Sequence, residues 1–339
     1  MTAGKEYDGL GGRTFGAVWR ELPACRDFFA VQGLPLPSPD QTPDLYFADL
    51  AADVLAETGV DRDALALRFV HFAEALGRME THAAQAVSSL TVQGGTDKTG
   101  RPEQLDLTLV PGDVVALVGP TGSGKSRFLG DVEWLANGDT PTGRRVLLNG
   151  HVADAAARLA HSGRLVAQLS QNMHFVMDMG VGEFILAHAE SRFLADASRA
   201  AAEVIRLANG LAGEAFDAAT PLTALSGGQS RALMIADVAR LCASPIVLVD
   251  EIENAGIDRR QAIALLTGSG KIVLMATHDP LLALLASRRL VFAAGAVTAV
   301  LATSPAEALA LDGLVALDTR LSALRQDLRL GREVLFAKE

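Results

Sequence analysis

The chain has little of what nucleic-acid-binding, disulfide-stapled or metal-binding proteins need. Its 40 acidic residues outnumber its 30 basic ones, which gives a net charge of −10. Because nucleic-acid binding is dominated by clustered Lys and Arg, this balance argues against a nucleic-acid partner. Two cysteines, Cys25 and Cys242, lie far apart and have no histidine pairs nearby, so neither a disulfide framework nor a metal site is expected. We expect both to be reduced thiols in the core.

Long apolar runs are also missing. The longest uncharged, apolar-rich run covers residues 291–306, and Gly295, Ser304 and Pro305 interrupt it, so no transmembrane helix is expected. The first residues are charged and contain no apolar stretch, which argues against a signal peptide. These observations predict a cytoplasmic protein that would reach the inner face of a membrane through a partner.

A glycine-rich loop is the strongest motif that is present. Residues 119–126 read Gly-Pro-Thr-Gly-Ser-Gly-Lys-Ser, between an apolar run at 113–118 that predicts a buried strand and a helical pattern at 127–135. Such glycines let successive backbone N–H groups cradle phosphate, while the lysine supplies a cation and the last serine suits Mg²⁺. The predicted nucleotide contacts are Gly119, Pro120, Thr121, Gly122, Ser123, Gly124, Lys125, Ser126 and Arg127.

Two further apolar runs end in polar side chains. Residues 246–249 are followed by Asp250 and Glu251, and residues 272–276 by Thr277 and His278. Ligands of parallel α/β folds bind where the carboxyl ends of the strands meet, so we expect these side chains beside the phosphate loop. The alternatives are a solvated strand end for the two carboxylates and a helix cap for the histidine.

A third motif, Leu-Ser-Gly-Gly-Gln, occupies residues 225–229 and precedes a helical pattern from Ser230 to Leu241. The serine and the two glycines stand at the start of this pattern, where a helix has the positive end of its dipole.

In this order the motifs resemble those of the ATP-binding cassette (ABC) ATPases, the nucleotide-binding subunits of ABC transporters and of some soluble machines. The resemblance covers roughly residues 89–303, and its most specific element is Leu-Ser-Gly-Gly-Gln, which other P-loop families lack. It implies an α/β P-loop NTPase fold with a helical signature subdomain at about 181–242, ATP and Mg²⁺ as cofactors, and ATP hydrolysis.

The resemblance also implies a head-to-tail dimer that traps ATP between the phosphate loop of one subunit and the signature of the other. Asp250 would hold Mg²⁺ through water, Glu251 would polarise the attacking water, and His278 would hold the γ-phosphate. A hinge glutamine is either Gln168 or Gln171, and the ten-residue spacing to residues 181–183 favours Gln171. The implied catalytic residues are Glu251, His278, Lys125 and Gln171, the metal ligands Ser126, Gln171 and Asp250, and the further nucleotide contacts Ser226, Gly227, Gly228, Gln229 and Asp258.

The sequence departs from the family pattern in three places. After Glu251 the family has Pro and a Ser-Ala-Leu-Asp loop, whereas this chain reads Ile-Glu-Asn-Ala-Gly-Ile-Asp at 252–258. The signature helix carries Asp237 where Arg is commoner. Segment 94–100, where the family places a ring that stacks on adenine, has no aromatic residue, so preference for ATP over GTP is in doubt. A ring from the amino-terminal region, such as Tyr46, Phe69 or Phe72, is the alternative.

Outside the cassette the sequence predicts more helices. Residues 1–88 predict an acidic all-α domain, partner-binding or regulatory, with helices at 15–22, 24–31, 44–57 and 61–80. The last has one apolar stripe, which favours packing in a small core over an exposed binding face. The stripe of the helix at 61–80 consists of Leu65, Phe69, Phe72, Leu76 and Met79.

Helices are also expected at 181–197 and 198–209, and residues 304–339 predict a helical tail.

Two functions remain open. The chain is either the ATPase subunit of a transporter, paired with a separate membrane protein, or a soluble machine that remodels or activates a cytoplasmic complex, such as a metalloenzyme. The size of the helical subdomain favours the first, whereas the extra acidic domain and the altered loop at 252–258 favour the second. The expected partners are a second copy of the chain and one of these two proteins.

Overall fold

The structure, a computed structural model, describes residues 12–83, 87–153, 158, 165–170, 175–192, 194, 196–251 and 257–333. The chain divides into two compact units, Met1–Gln85 and Ala86–Glu339. The division lies close to residue 88, where the sequence predicts the end of the helical domain. The carboxyl-terminal segment belongs to the second unit.

The amino-terminal unit consists of short helices, each started by a local signal. Thr14 caps the first helix, and Thr42 with Pro43 starts the third. The single helix expected at 44–57 is wrong, because the chain breaks there to bury Leu50, whose carbonyl accepts a hydrogen bond of 2.6 Å from the Arg62 guanidinium. The helices are α1 (Phe15–Glu21), α2 (Asp27–Val31), which follows a 3₁₀ turn at Pro23–Arg26, α3 (Pro43–Ala48), α4 (Ala52–Thr58) and α5 (Arg62–Ala83).

An aromatic cluster forms the core of this unit. The Phe15 ring lies 5.3–5.7 Å, between centroids, from four other rings: Trp19, Phe29, Tyr46 and Phe69. Leu65 and Phe69 of the predicted stripe are fully buried, and Phe72 and Leu76 are partly buried, so the stripe packs inward; the Met79 side chain is outside the described residues. Burial raises the pKa of the Tyr46 hydroxyl to about 12. Tyr46 and Phe69 are buried in this core and Phe72 is partly buried, and the suggestion that one of these rings covers a nucleotide base stays a prediction.

The second unit contains two sheets. A small antiparallel sheet has the order β2-β1-β4-β5, and a six-stranded sheet has the order β10-β9-β3-β8-β7-β6, in which the five strands other than β10 run parallel. The strands are β1 (Leu90–Gln93), β2 (Asp106–Leu109), β3 (Val114–Val118), β4 (Arg145–Leu148), β5 (His151–Val152), β6 (Val166–Leu169), β7 (Ile246–Asp250), β8 (Ile272–Ala276), β9 (Arg288–Ala293) and β10 (Ala296–Ala302).

Helices cover both faces of the large sheet, so its central strands are apolar apart from Asp250 at the end of β7. The helix after the phosphate loop begins at residue 125, two residues earlier than expected. The helix expected at 181–197 ends at residue 190, and Asp196 caps the next one by accepting from the Arg199 amide. The helices are α6 (Lys125–Glu133), α7 (Val181–Glu190), α8 (Ala197–Leu211), α9 (Gly227–Arg240), α10 (Arg259–Gly268), α11 (Pro280–Leu285) and α12 (Pro305–Arg329).

A buried ion cluster ties the two sheets to α6. The fully buried Arg144 guanidinium donates to both Glu103 carboxylate oxygens at 2.7 and 2.8 Å and to Asp131 at 3.0 Å. It also donates to the Gly295 carbonyl in the β9–β10 turn, at 2.9 Å. Burial opposes the charge of Arg144, but the two carboxylates outweigh it and raise the pKa of the guanidinium. The cluster is therefore fully paired.

Removing the cation should destabilise the cassette. In Arg144→Met, Glu103 and Asp131 would remain buried without their partner, which costs about 3–5 kcal/mol. The neighbouring exposed Arg145 provides a matched control, since Arg145→Met leaves the cluster intact. Thermal unfolding should show a clearly lower midpoint for Arg144→Met than for Arg145→Met. Equal midpoints would contradict a stabilising role for the cluster.

Candidate nucleotide-binding site

Three adjacent parallel strands bring the predicted site residues to one edge of the large sheet. Leu117 of β3 pairs with Ala276 of β8, which in turn pairs with Asp250 of β7. Just beyond these pairs, the Thr277 amide donates to the Leu117 carbonyl at 3.2 Å and the Glu251 amide to the Ala276 carbonyl at 3.1 Å. The phosphate loop and the segments with Glu251 and His278 therefore leave the sheet at one edge.

The phosphate loop has a backbone that requires glycine. Gly119, Gly122 and Gly124 have φ angles of +148°, +76° and +114°, which L side chains rarely adopt. A Cβ at Gly119 would lie 2.5 Å from the Phe292 carbonyl oxygen, and one at Gly124 would lie 2.9 Å from the Gly295 Cα. The β9–β10 hairpin thus closes the loop on one side, while Gly122 has open space around it.

Polar groups inside this loop suit a phosphate. Lys125 begins α6, and its buried ammonium group donates to the Gly119 carbonyl at 2.7 Å and the Pro120 carbonyl at 3.2 Å. The buried Ser123 hydroxyl has no hydrogen-bond partner among the described residues. A buried orphan hydroxyl, a cation and a helix N-terminus in one concavity fit an anionic ligand. Ser126 and Arg127 follow on the exposed first turn of α6.

Glu251 and His278 form a pair at the same edge. The His278 Nε2 lies 3.1 Å from a Glu251 carboxylate oxygen, and both side chains are partly exposed. Glu251 has a φ of +49°, an uncommon backbone for a residue other than glycine and one that occurs often at functional sites. The helix-cap interpretation of His278 is wrong, because Asp279 caps α11 by accepting from the Leu281 amide at 2.8 Å.

The signature segment starts its helix earlier than expected, at Gly227 instead of Ser230. Ser226 caps α9 in a reciprocal box: its hydroxyl accepts from the Gln229 amide at 3.3 Å, and its own amide donates to the Gln229 side chain at 2.9 Å. Gln229 also donates to the Glu214 carbonyl at 3.2 Å. Ser226 and Gly227 are exposed, and a Cβ at Gly227 would meet nothing within 4 Å. The positive end of α9 is therefore accessible, with Gly228 in its first turn.

Other predicted site residues are placed differently. Asp258 caps α10, accepting from the Gln261 amide at 3.0 Å and from its side chain at 2.9 Å. Gln171 and the altered loop at 252–256 lie outside the described residues. Gln168 is an exposed residue of β6, the strand next to β7. The hinge role of Gln171 and the nucleotide contact of Asp258 stay predictions.

The ring-free segment before the loop contributes a residue that sequence reasoning missed. The Lys98 backbone amide donates to the Ala294 carbonyl at 2.9 Å, and its ammonium group donates to the Gly122 carbonyl of the phosphate loop at 2.8 Å. The turn is held by Asp97, whose carboxylate accepts from Thr99 and Arg101, and these hydrogen bonds hold its pKa below the usual value. A lysine in place of an aromatic residue was the available sequence signal.

The donor set also fits a magnesium ion bound together with a nucleotide. Among the described residues, no group of three His, Cys, Asp or Glu side chains could hold a metal by itself. Mg²⁺ usually binds one or two protein ligands together with substrate phosphates, so a hydroxyl and a carboxylate at this edge suffice. Ser126, on the phosphate-loop side, and Asp250, at the end of β7, are the candidates for these two groups.

Known proteins are similar in sequence to this chain. Residues 102–254 match the family model described as ABC transporter. An uncharacterized ABC transporter ATP-binding protein of Methanocaldococcus jannaschii is 48% identical over 249 residues, which are 73% of this chain and 95% of that protein. The chain belongs to the ABC transporter ATPase family. It is thus an ATP-hydrolysing enzyme, as the sequence predicted.

Two further comparisons agree with this family. The thiamine import ATP-binding protein ThiQ of Chelativorans sp. is 31% identical over 203 residues, 57% of this chain and 77% of that protein. A subunit of the ABC transporter complex cbiONQ from Clostridium perfringens superposes with a TM-score of 0.50 at 20% identity, over 71% of this chain and 95% of that one, which shows the shared fold. No helix in the described part of the ABC ATPase is long and apolar enough to span a bilayer.

Two substitutions should separate nucleotide binding from hydrolysis. Lys125→Ala should abolish ATP binding, because it removes the cation of the phosphate loop, whereas Glu251→Gln should bind ATP but lose at least about 100-fold in turnover. Equilibrium ATP binding and phosphate release measure the two effects. Glu190→Gln, the same change at an exposed position of α7, is the control. Turnover of Glu251→Gln at the control rate would contradict the assigned role.

Base discrimination should be weak. Stacking on an aromatic ring contributes about 1–3 kcal/mol per base in nucleic-acid sites, and segment 94–100 supplies no ring. The phosphate loop and Lys98 recognise no feature of the base, so ATP and GTP should bind with affinities within about tenfold of each other. Competition binding to the full chain measures this ratio. A much larger preference for ATP would show that residues elsewhere recognise adenine.

Proposed function

We propose that two copies of the chain close head to tail around ATP and Mg²⁺, and that hydrolysis drives a conformational change in a transporter's membrane subunit. The observation that carries this proposal is the shared sheet edge, where the phosphate loop lies beside the Glu251–His278 pair. The exposed amino terminus of α9 supports a site completed by a second subunit.

The placement of the described side chains supports the following chemistry. The phosphate loop amides and Lys125 hold the β- and γ-phosphates, while Ser126, Asp250 and Gln171 would hold Mg²⁺, which neutralises phosphate charge. Glu251 accepts a proton from water as the water oxygen attacks the γ-phosphorus. The bond from that phosphorus to the bridging oxygen then breaks and ADP departs. His278, which contacts Glu251 at 3.1 Å, orients the carboxylate and donates to the γ-phosphate.

The second subunit contributes the signature. Ser226 and the amides of Gly227 and Gly228 would approach the γ-phosphate with the positive end of α9. Gln229 supports this end from within its own subunit, through the capping box and the Glu214 carbonyl. Asp258 would lie near the same interface. Each subunit therefore lacks part of the site until ATP brings two together.

An exposed apolar segment supports a partner near the helical subdomain. Val176 is 92% exposed and Met177 46% exposed, while the neighbouring Phe175 packs edge-on against Phe184, at 5.3 Å between ring centroids. Exposed apolar side chains next to a packed aromatic residue are typical of a protein-binding surface. The transport role is favoured because the relatives are named as transporter ATP-binding proteins.

A soluble machine is the second candidate. The compact amino-terminal unit, Met1–Gln85, has its own aromatic core and suits recruitment of a cytoplasmic complex. The two candidates differ in the protein that is captured. A polytopic membrane protein should copurify with the native chain from detergent-solubilised cells, and Val176→Asp should reduce its recovery, whereas Val110→Asp, at another exposed valine, should not. Recovery of a soluble complex instead would favour the second candidate.

Complementation between two inactive variants tests the shared site. Lys125→Ala protein retains its signature, and Ser226→Arg protein retains its phosphate loop, so each alone should be inactive. In a mixed dimer, one of the two sites combines the intact phosphate loop of the Ser226→Arg subunit with the intact signature of the Lys125→Ala subunit. Random pairing at equal concentrations should then restore up to roughly a quarter of wild-type turnover. Mixing Lys125→Ala with the double variant Lys125→Ala/Ser226→Arg is the matched control. Activity of Ser226→Arg alone, or no gain on mixing, would contradict a site shared between subunits.

A further inference from the structure

The last helix, α12, has one face on the cassette and one face in solvent. Leu311 and Val315 are partly buried against the main core, and Asp318 hydrogen bonds to Arg259 of α10. On another side of the helix, Leu317 is 59% exposed, Leu321 51% and Leu328 65%. A helix that is already anchored on one side does not need these leucines for its own packing.

The solvent-facing residues repeat with the period of a coiled coil. Ala310, Leu314, Leu317, Leu321, Leu324 and Leu328 follow one another at steps of four, three, four, three and four residues. This spacing places all six on one narrow stripe, which we call the α12 seam. Leu314 and Leu324 are half-buried at its borders. Most of the core-type residues of a coiled coil are thus present, and Ala310, Leu317, Leu321 and Leu328 are exposed to solvent.

We propose that the α12 seam pairs with the same seam of a second copy of the chain, in an antiparallel coiled coil that needs no nucleotide. The charges beside the seam favour a second copy of the chain as the partner, and they favour the antiparallel direction. Asp318 and Arg325 lie along one border, Arg320 and Asp327 along the other. An antiparallel pair sets Asp318 against Arg325 and Arg320 against Asp327, so all four contacts join opposite charges, whereas a parallel in-register pair sets Arg320 against Arg325.

One register satisfies both the leucines and the charges. It stacks Leu317 on Leu328 and Leu321 on Leu324 of the second copy, and the twofold symmetry repeats each contact. The overlap is short and ends where α12 ends at Arg329. Asp318 and Asp327 also keep their internal partners Arg259 and Arg332, so they contribute only in part. We expect a dissociation constant on the order of 10 µM, typical of a small contact.

Charges placed on the seam test the proposal. Nucleotide-free wild-type protein should change from monomer to dimer between about 1 and 300 µM in sedimentation equilibrium, around the expected dissociation constant. Leu321→Asp with Leu328→Asp should remain monomeric throughout. Ala316→Asp with Ala323→Asp adds the same charges at exposed positions outside the seam and should still dimerise. Monomeric wild-type protein at the highest concentration, or equal dimerisation of both variants, would overturn the proposal.

Disulfide formation tests the direction. In the proposed register position 321 meets position 324 of the other copy, so a mixture of Leu321→Cys and Leu324→Cys proteins, in a Cys242→Ser background, should cross-link on oxidation. Each protein alone should not. Efficient cross-linking of Leu321→Cys with itself would show a parallel pair and contradict the antiparallel arrangement. Neither experiment involves ATP or the phosphate loop, so its outcome is independent of the shared ATP site.

Discussion

The parallel pairing of β3, β8 and β7 is the constraint on which the site depends. Side chains far apart in the sequence meet because Leu117, Ala276 and Asp250 lie in register across neighbouring strands. A shift of one residue in β8 would turn its side chains to the other face and separate His278 from Glu251. The buried apolar residues of these strands fix this register, so the stability of the core and the geometry of the Glu251–His278 pair have one cause.

The buried Arg144 cluster extends this support to the phosphate loop. Arg144 contacts the Gly295 carbonyl, while Gly295 lies directly against the Cβ position of Gly124. Glu103 also accepts from the Val297 amide, so the β9–β10 hairpin is held at its turn and at the start of β10. Lys98 joins the same hairpin to the loop through Ala294 and Gly122. The loop that would hold the triphosphate is therefore supported by a paired, buried charge network, which favours a preorganised site.

Local signals in the sequence predicted most of the fold and much of the site. Glycines with positive φ, apolar strands and the Ser226 cap each act within a few residues, so the phosphate loop, β7, β8 and the signature helix could be predicted. The break at Leu50 and the Arg144 cluster depend on contacts distant in sequence, namely Arg62 with Leu50 and Glu103 with Arg144. The periodicity of apolar residues along the sequence contains no information about such contacts. Lys98 was overlooked because the expected group there was a ring.

We propose that one ATP is held by the phosphate loop of one subunit and the signature of another, with the Glu251–His278 pair at its γ-phosphate. A structure of Glu251→Gln protein determined with ATP and Mg²⁺ would show these contacts. We expect the γ-phosphate to contact Lys125 and His278 of one chain and Ser226 of a second chain. A γ-phosphate that contacts residues of a single chain, or lies away from His278, would contradict it.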